Sequence, residues 1–443
     1  MKINEKLAVL EAIAASAKSV GVPDIQKILF VCVQHLLHTS ASLFETLIEL
    51  GAEPSNIFLI GKHYSTCDTV SEKIKNMGIQ LQKLTPLQKS GEYASIFNRD
   101  ISAMWQQVQN HLNSHEITAV VVLDDGGKCL EFITRGVLAK LPVIGIEQTT
   151  AGLFNPAVIN LHVPFIDVAA CAAKTYLESD MIVEAILNKL SKTLPVDKNG
   201  LLCGVVGVGA IGKAIVRHLI SLGCHVHVYD QNKENYKFIE KAICYDHLEE
   251  LIRTTDYIFG CTGRDITQNL DMFSLTSRHK MFISCTSEDK EFLSLLKLIQ
   301  SYHDQQSNPL KDIVWPLSNS AVITIIKGGF PINFDDSGES VPAHQIQLTR
   351  GLLLVALIQA IVTLPFLMKE NIKGRVMLNP EAQKFVVQEW LKNSKNHKFS
   401  PSLLNKFKNI DWIMQNSGGL FRQADQLFQY FNFYEATQSE SAS

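Results

Sequence analysis

No two cysteines in this sequence stand at Cys-x-x-Cys or zinc-type spacing; the nine (Cys32, Cys67, Cys129, Cys171, Cys203, Cys224, Cys244, Cys261 and Cys285) are scattered singly. That argues against a disulfide framework or a local zinc knot, and reads as small buried hydrophobes in a reducing compartment. Charge of one sign is also lacking. With 41 basic and 44 acidic residues and a formal net charge of -3, there is no cationic surplus to neutralise phosphates, so nucleic acid is not an expected partner. The first residues carry Glu5 and Glu11 inside an apolar pattern and no continuous hydrophobic stretch before a cleavage site, which predicts a cytoplasmic protein. Long apolar runs are scarce. The one candidate, Gly351 to Met368, is broken by Gln359, Thr363 and Pro365, and favours a buried helix over a bilayer span, so no membrane association is expected. Internal repeats and low-complexity tracts are absent.

What is present is material for several cores. A chain of 443 residues with 46% apolar and 19% charged residues predicts two or three globular domains at roughly 150 residues each. Before residue 190, the apolar runs KILFVCV, NIFLIGK, AVVVLDD and PVIGIEQ alternate with amphipathic or polar stretches, the pattern of a parallel α/β sheet. MIVEAILNKLSK has helical spacing and leads into the turn-rich TLPVDKNG. From Leu201 a second alternation starts, with strands LLCGVVG, HVHVYD, DYIFGC, KMFISC and AVITII. The fold class predicted is α/β: a Rossmann domain inserted in a second parallel α/β domain, followed by a helical C-terminal extension. The expected boundaries are 1–190 for the first part of the substrate-type domain, 191–345 for the Rossmann domain, 346–374 for a helix returning to the first domain, and 375–443 for the extension, helical in EAQKFVVQEWLKN and QADQLFQYF with a frayed tail.

The segment Gly207-Val208-Gly209-Ala210-Ile211-Gly212 fits G-x-G-x-x-G. A buried-type strand precedes it, a helix pattern (AIGKAIVRHLISLG) follows, and Asp230 ends the next strand at about the spacing of a ribose-binding acid. Gly207 permits the tight turn, Gly209 lets backbone approach a pyrophosphate, and Gly212 allows close helix packing, with the anion on the helix N-terminus. Asp230 would accept hydrogen bonds from ribose hydroxyls and repel a 2′-phosphate, so the predicted cofactor is NAD rather than NADP.

Other polar residues are equivocal by themselves. Asp124-Asp125-Gly126-Gly127 follows the strand VVVL, where open α/β sheets bind ligands, yet Asp-Asp-Gly-Gly is also a common turn. Glu147-Gln148-Thr149-Thr150 reads either as a ligand loop or as a helix cap. Lys174, in the apolar stretch DVAACAAKTYLE, is either a snorkelling side chain or a desolvated base. His35 reads either as a satisfied structural residue or as a catalyst.

In order, His35 ahead of Glu45-Thr46-Leu47, Tyr64-Ser65-Thr66 with Asp68, Leu123 to Gly127, Glu147 to Gly152, Val163-Pro164 leading to Lys174, and the dinucleotide loop resemble the S-adenosyl-L-homocysteine hydrolase family. The resemblance covers roughly residues 25 to 360. It implies a bound NAD held by Gly207, Gly209, Ala210, Ile211, Gly212, Asp230, Asn235, Thr262 and Asn333, with Thr149 and Thr150 reaching it from the first domain. It further implies a redox-masked elimination and hydrolysis within one-carbon metabolism, with Asp125, Lys174 and His35 carrying the chemistry, Gln148 and Glu178 beside them, and Thr66, Asp68 and Thr39 toward the substrate. A small-molecule substrate and a homodimer or other homo-oligomer are the implied partners, and no metal is implied.

Departures concentrate in the substrate pocket. Gln148 stands where the family has a glutamate, Glu178 where it has an aspartate, Ser179 where it has an asparagine, and Thr39 where it has an acid. Ser287 and Ser340 replace two histidines, and the C-terminal lysine and tyrosine have no match. At roughly 1–3 kcal/mol for each unmatched polar contact, adenosylhomocysteine itself should bind poorly. The leading expectation is therefore an enzyme that uses bound NAD on a different nucleoside-like or hydroxy-acid substrate. A non-catalytic NAD-binding regulatory protein and a diverged but genuine hydrolase are the alternatives. The 2-hydroxyacid dehydrogenases share a related architecture but usually carry an arginine just after the strand matching KMFISC, and Ser284 to Ser287 offers none.

Overall fold

A computed structural model describes residues 6–21, 23–133, 141–302, 308–317, 320–335 and 337–394; QADQLFQYF and the tail lie outside the described residues. The chain divides into two compact units, the first made of residues 1–84, 98–178 and 336–443, the second of residues 85–97 and 179–335. Each holds a sheet of seven strands.

The first sheet contains β1 (Ile28–Val33), β2 (Ile57–Ile60), β3 (Gln80–Leu81), β4 (Ala119–Asp124), β5 (Val143–Glu147) and β6 (Pro164–Asp167). The second contains β7 (Leu202–Val206), β8 (His225–Tyr229), β9 (Ile243–Cys244), β10 (Tyr257–Gly260), β11 (Lys280–Ser284), β12 (Ile313–Pro316) and β13 (Val322–Ile325). The last strand, β14 (Gly374–Met377), returns to the edge of the first sheet beside β6. Spatial order is β3-β2-β1-β4-β5-β6-β14 in the first sheet and β9-β8-β7-β10-β11-β13-β12 in the second. Every pairing is parallel except β12 with β13. Both sheets thus follow the doubly wound order, with the direction of winding reversing beside the unit's first strand.

The apolar runs of the sequence become central strands because both of their faces are covered. All residues of β1, β4 and β5 are buried, each Val, Leu, Ile or Phe side chain contributing about 1.5–3 kcal/mol. The interrupted apolar run becomes the helix Ala343–Lys369, the one described helix long and apolar enough to cross a membrane, with 78% of its most apolar window buried. It packs inside the first unit against the helices Ala8–Val20, His38–Glu49 and Pro380–Asn393 and against β4 and β5. Gly351 admits that packing: a Cβ there would stand 2.7 Å from Val9 and 2.8 Å from Val386. Residues 375–393 are not purely helical. Their apolar start completes β14, whose neighbour β6 offers an open parallel edge, before Asn379 caps the helix Pro380–Asn393.

Candidate functional site

In the second unit, the crevice at the reversal point lies between the ends of β7 and β10. Gly207 follows β7 with φ +91°, and a Cβ on it would meet Thr262 Cγ2 at 2.8 Å and the Cys261 carbonyl carbon at 2.9 Å. Gly212, in the first turn of the helix Ala210–Ser221, lies so close that a Cβ would be 1.9 Å from the Gly207 carbonyl oxygen. Gly209, the residue capping that helix, has nothing within 4 Å of where its Cβ would be. The loop is therefore closed at Gly207 and Gly212 and open at Gly209, where the orphan N–H groups of Ala210, Ile211 and Gly212 begin. This is the shape a diphosphate needs, and the residues fit a dinucleotide.

Asp230, directly after β8, accepts from the Val208 amide at 2.6 Å and from the Asn232 amide at 2.8 Å, which ties the acid to the loop. Asn235 sits half-buried in the turn Lys233–Phe238. Thr262 is anchored by Glu291, which accepts from its amide at 2.6 Å and its hydroxyl at 3.0 Å. Burial pushes the Glu291 carboxyl up to about 7. Asn333 is 6% exposed, and its amide has no hydrogen-bond partner among the described residues.

The first unit has its own reversal point, between β1 and β4, and a different kind of site there. Asp125, one residue past β4, is buried and receives three donors. Lys62, just beyond β2, forms an ion pair with it; His35 Nε2, just beyond β1, lies 3.2 Å away; and the Gln148 amide, just beyond β5, donates to it. Burial alone would raise the Asp125 carboxyl, but Lys62 and His35 hold it well below the usual carboxylate range. The imidazole of His35 is pushed down by burial, against the pull of Asp125. A neutral ring fits the network, with Nε2–H donating to Asp125 and Nδ1 accepting from the Ser65 hydroxyl at 2.6 Å. Gln148 is fixed from behind, its Oε1 accepting from Gln34 Nε2 at 2.9 Å, while Gln34 Oε1 is buried without a partner among the described residues. An amide donor at 148 suits a carboxylate at 125, where a second carboxylate would repel it.

Asp124 and Glu147 turn away from this work. Asp124 accepts from the amides of Asp125 (2.8 Å) and Leu130 (2.7 Å), and burial raises it to about 6. Glu147 accepts from the amides of Gly126 (3.2 Å), Gly127 (2.8 Å) and Thr149 (2.7 Å) and from the Thr149 hydroxyl (2.7 Å); burial raises its carboxyl well above its ordinary range. The Asp-Asp-Gly-Gly turn is thus pinned from within. Thr149 serves as the N-cap of the short helix Thr150–Leu153, and Thr150 is exposed.

Lys174 and Glu178 begin and end one π-helical turn and form an ion pair, Nζ to Oε2 at 3.0 Å, with Glu178 also accepting from the Thr349 hydroxyl at 2.7 Å. Thr39 donates its amide (2.6 Å) and hydroxyl (3.0 Å) to Glu339 and accepts from Arg350 Nε at 3.2 Å. Thr66 donates to the Lys62 carbonyl at 2.8 Å and so supports the loop that carries the lysine. Asp68 stands exposed at the start of the helix Asp68–Asn76 and bonds to no member of the cluster.

Lys62 and Arg350 went unnoticed in the sequence. A Gly-Lys directly after the strand IFLI marks a ligand-facing strand end as well as Asp125 does, and Arg350 is the one charge within the apolar part of its helix.

Residues 171–284 match the family model described as D-isomer specific 2-hydroxyacid dehydrogenase, NAD binding domain, which identifies the second unit's Rossmann domain as NAD-binding. Two curated relatives from Mycobacterium tuberculosis, the uncharacterized proteins MT0113 (strain CDC 1551) and Rv0104 (strain H37Rv), are each 28% identical over 344 residues. The alignments cover 76% of this chain and 65% of theirs, so the match spans less than two thirds of those relatives' length. Among solved structures, a dehydrogenase from Rhizobium meliloti is 16% identical with TM-score 0.27, covering 42% of this chain and 67% of its own. The TT0316 protein from Thermus thermophilus is 11% identical with TM-score 0.35, covering 74% and 97%.

The dehydrogenase match overturns the expected kinship with S-adenosyl-L-homocysteine hydrolases, and with it the hydrolase chemistry and the place in one-carbon metabolism. The reason is physical. The motifs that carried that resemblance are a glycine fingerprint, a pinned acidic turn and a threonine cap, which are the parts from which strand-end loops of doubly wound sheets are built. The missing arginine after KMFISC does not count against a dehydrogenase domain either, because the matched segment ends at Ser284, before that position.

Proposed function

We propose that this chain is an NAD-dependent oxidoreductase acting on a small molecule that bears a hydroxyl or carbonyl group, with proton transfers supplied by the first unit's buried cluster. When bound, NAD supplies hydride exchange. The observation that carries the reading is His35 held between Ser65 and Asp125 at the reversal point of the first sheet, beside Lys62. At 15% side-chain exposure, His35 is the most accessible of the three titratable partners, against 2% for Asp125 and 0% for Lys62. Its depressed pKa keeps Nδ1 unprotonated at neutral pH. As an alcohol is oxidised, Nδ1 takes up a proton, directly or through Ser65 Oγ, and Asp125 stabilises the resulting imidazolium; reduction runs the same transfers backward. Lys62 keeps Asp125 ionised throughout. Gln148 and Gln34 hold the carboxylate in place, so their roles are positional. Lys174, paired with Glu178, is assigned a second proton-transfer role in this reading.

The test is the absorbance of reduced nicotinamide during incubation of the purified chain and NAD+ with a panel of hydroxy acids, polyols and nucleosides. Turnover should fall by about 10²–10⁴ in His35→Gln with NAD affinity unchanged. Silence across the panel in protein that binds NAD would end the oxidoreductase reading.

A further inference from the structure

Arg350 is the one cation of the first unit's cluster that the proton-transfer scheme leaves unused. It lies on the helix Ala343–Lys369, is 3% exposed, and is near enough to Glu339, Asp125 and Glu178 for each to favour its charge. Yet among the described residues its guanidinium makes no ion pair, and only Nε–H is engaged, on the Thr39 hydroxyl at 3.2 Å. Among the same residues Nη1 and Nη2 donate to nothing. The other cations nearby are matched, Lys62 with Asp125 and Lys174 with Glu178. Thr39 is itself held by both oxygens of Glu339, so Nε has a fixed anchor and the plane of the fork is set. A buried guanidinium with one edge tied and the opposite end unoccupied is arranged for a bidentate acceptor.

We propose that Arg350 is a specificity-determining residue whose Nη1 and Nη2 grip a planar carboxylate of the ligand bound by the first unit. This rests on the oxidoreductase reading only for calling that ligand the substrate. Shape favours a carboxylate over a phosphate: the two oxygens of a carboxylate lie in the plane of the guanidinium fork, whereas a tetrahedral anion carries further oxygens out of that plane. Glu339 and Thr39 would act as positioning residues, since they touch Arg350 and hold it in place.

Calorimetric titration of the full chain with malonate, its neutral isostere malonamide and inorganic phosphate, at matched ionic strength, tests this. Expected are saturable heat with malonate, none with malonamide and weaker binding of phosphate. Arg350→Lys keeps the charge and loses the fork, and should weaken malonate on the order of tenfold or more; Arg350→Met should abolish it. Because the methionine variant removes the charge nearest the half-buried Glu339 and is prone to misfold, the lysine variant and Thr39→Val, which frees Nε, carry the result. Absence of malonate binding in the wild type, equal binding of malonamide, tighter binding of phosphate, or malonate affinity unchanged in Arg350→Lys would each overturn the assignment. NAD titrated into the same samples separates the two claims: lost NAD binding with malonate binding intact removes the oxidoreductase reading and leaves the anchor.

Discussion

The two units wind their sheets in the same order and build opposite kinds of site at the same topological place. In the second unit, the crevice is backbone: one contiguous stretch, Gly207 to Gly212, whose glycines are dictated by contacts of a would-be Cβ, tied by one acid from the next strand. In the first, it is side chains: His35, Lys62, Asp125 and Gln148, brought from the ends of four strands into a buried, mutually compensated set. They share a device. Each has a buried glutamate that pins a strand-end loop through its amides and a threonine, Glu147 beside Thr149 and Glu291 beside Thr262. Even the space around it is alike, for a Cβ on Gly152 would fall 2.2 Å from the Glu147 carboxyl carbon and one on Gly260 2.8 Å from Glu291 Oε2. The contrast teaches that a backbone site depends mostly on its own segment, whereas a charged side-chain site depends on the rest of the unit to offset its desolvation.

That contrast can be broken or sharpened by substitution, and the largest effect is expected within the second unit. Gly212→Ala drives a methyl into the Gly207 carbonyl and should both abolish NAD binding and lower the melting temperature. Gly209→Ala has room for its methyl, so it should weaken NAD while leaving thermal stability unchanged. If the two variants behaved alike in both assays, the division into a packing glycine and a ligand glycine would be lost. In the first unit, Lys62→Met removes the ion-pair partner of a buried carboxylate and should cost about 3–5 kcal/mol by denaturant titration, with Lys62→Met/Asp125→Leu recovering much of it. Full additivity of the two changes would mean the pair is not coupled.

A smaller effect concerns pH. Glu291 binds its proton more tightly in the folded state, with its carboxyl raised from 4.5 to about 7. Stability from this group is therefore fully present below the unfolded value and is lost as pH rises through that window. Glu291→Gln should flatten this slope by on the order of 1–3 kcal/mol between those limits. His35 works in the opposite sense: its lowered pKa means that stability falls as pH drops below the ordinary histidine value of 6.5. A slope unaltered in Glu291→Gln would assign the pH response to other groups. The smallest change is expected for Asp230→Ala, which should reduce the preference for NAD over NADP by about tenfold and, by freeing the Val208 and Asn232 amides, cost about 1 kcal/mol of stability. A preference that stays put would remove Asp230 from ribose recognition.

How much of this was legible follows from the same contrast. The Rossmann loop is read directly from Gly207, Gly209, Gly212 and Asp230 because its determinants are local and each residue type has one steric reason to be there. The apolar runs of the central strands were equally plain, since burial on both faces leaves no polar alternation to misread. Arg350 and Lys62 were not, because nothing in a linear pattern says that a lysine after β2 and an arginine in the last long helix approach the acid after β4. Gln148 looked like a defect only against an expected glutamate; beside a carboxylate held ionised by Lys62, an amide donor is the compatible choice. The edge strand β14 was missed because four residues after a helix carry little periodicity, and only the open edge of β6 makes them a strand.

The return of the chain to β14 has a consequence for how the protein is made. Gly374 lies opposite Pro164, so the first sheet cannot gain its last strand, nor receive Arg350, until nearly the whole described chain has left the ribosome. The second unit's strands, by contrast, are all closed within residues 202–325. Contacts between residues so distant in sequence form slowly, and domains tend to fold as units in order of synthesis. During translation the dinucleotide crevice should therefore become protease-resistant while the first sheet still waits for its edge, and a nascent chain halted after Ile325 should already be able to hold NAD.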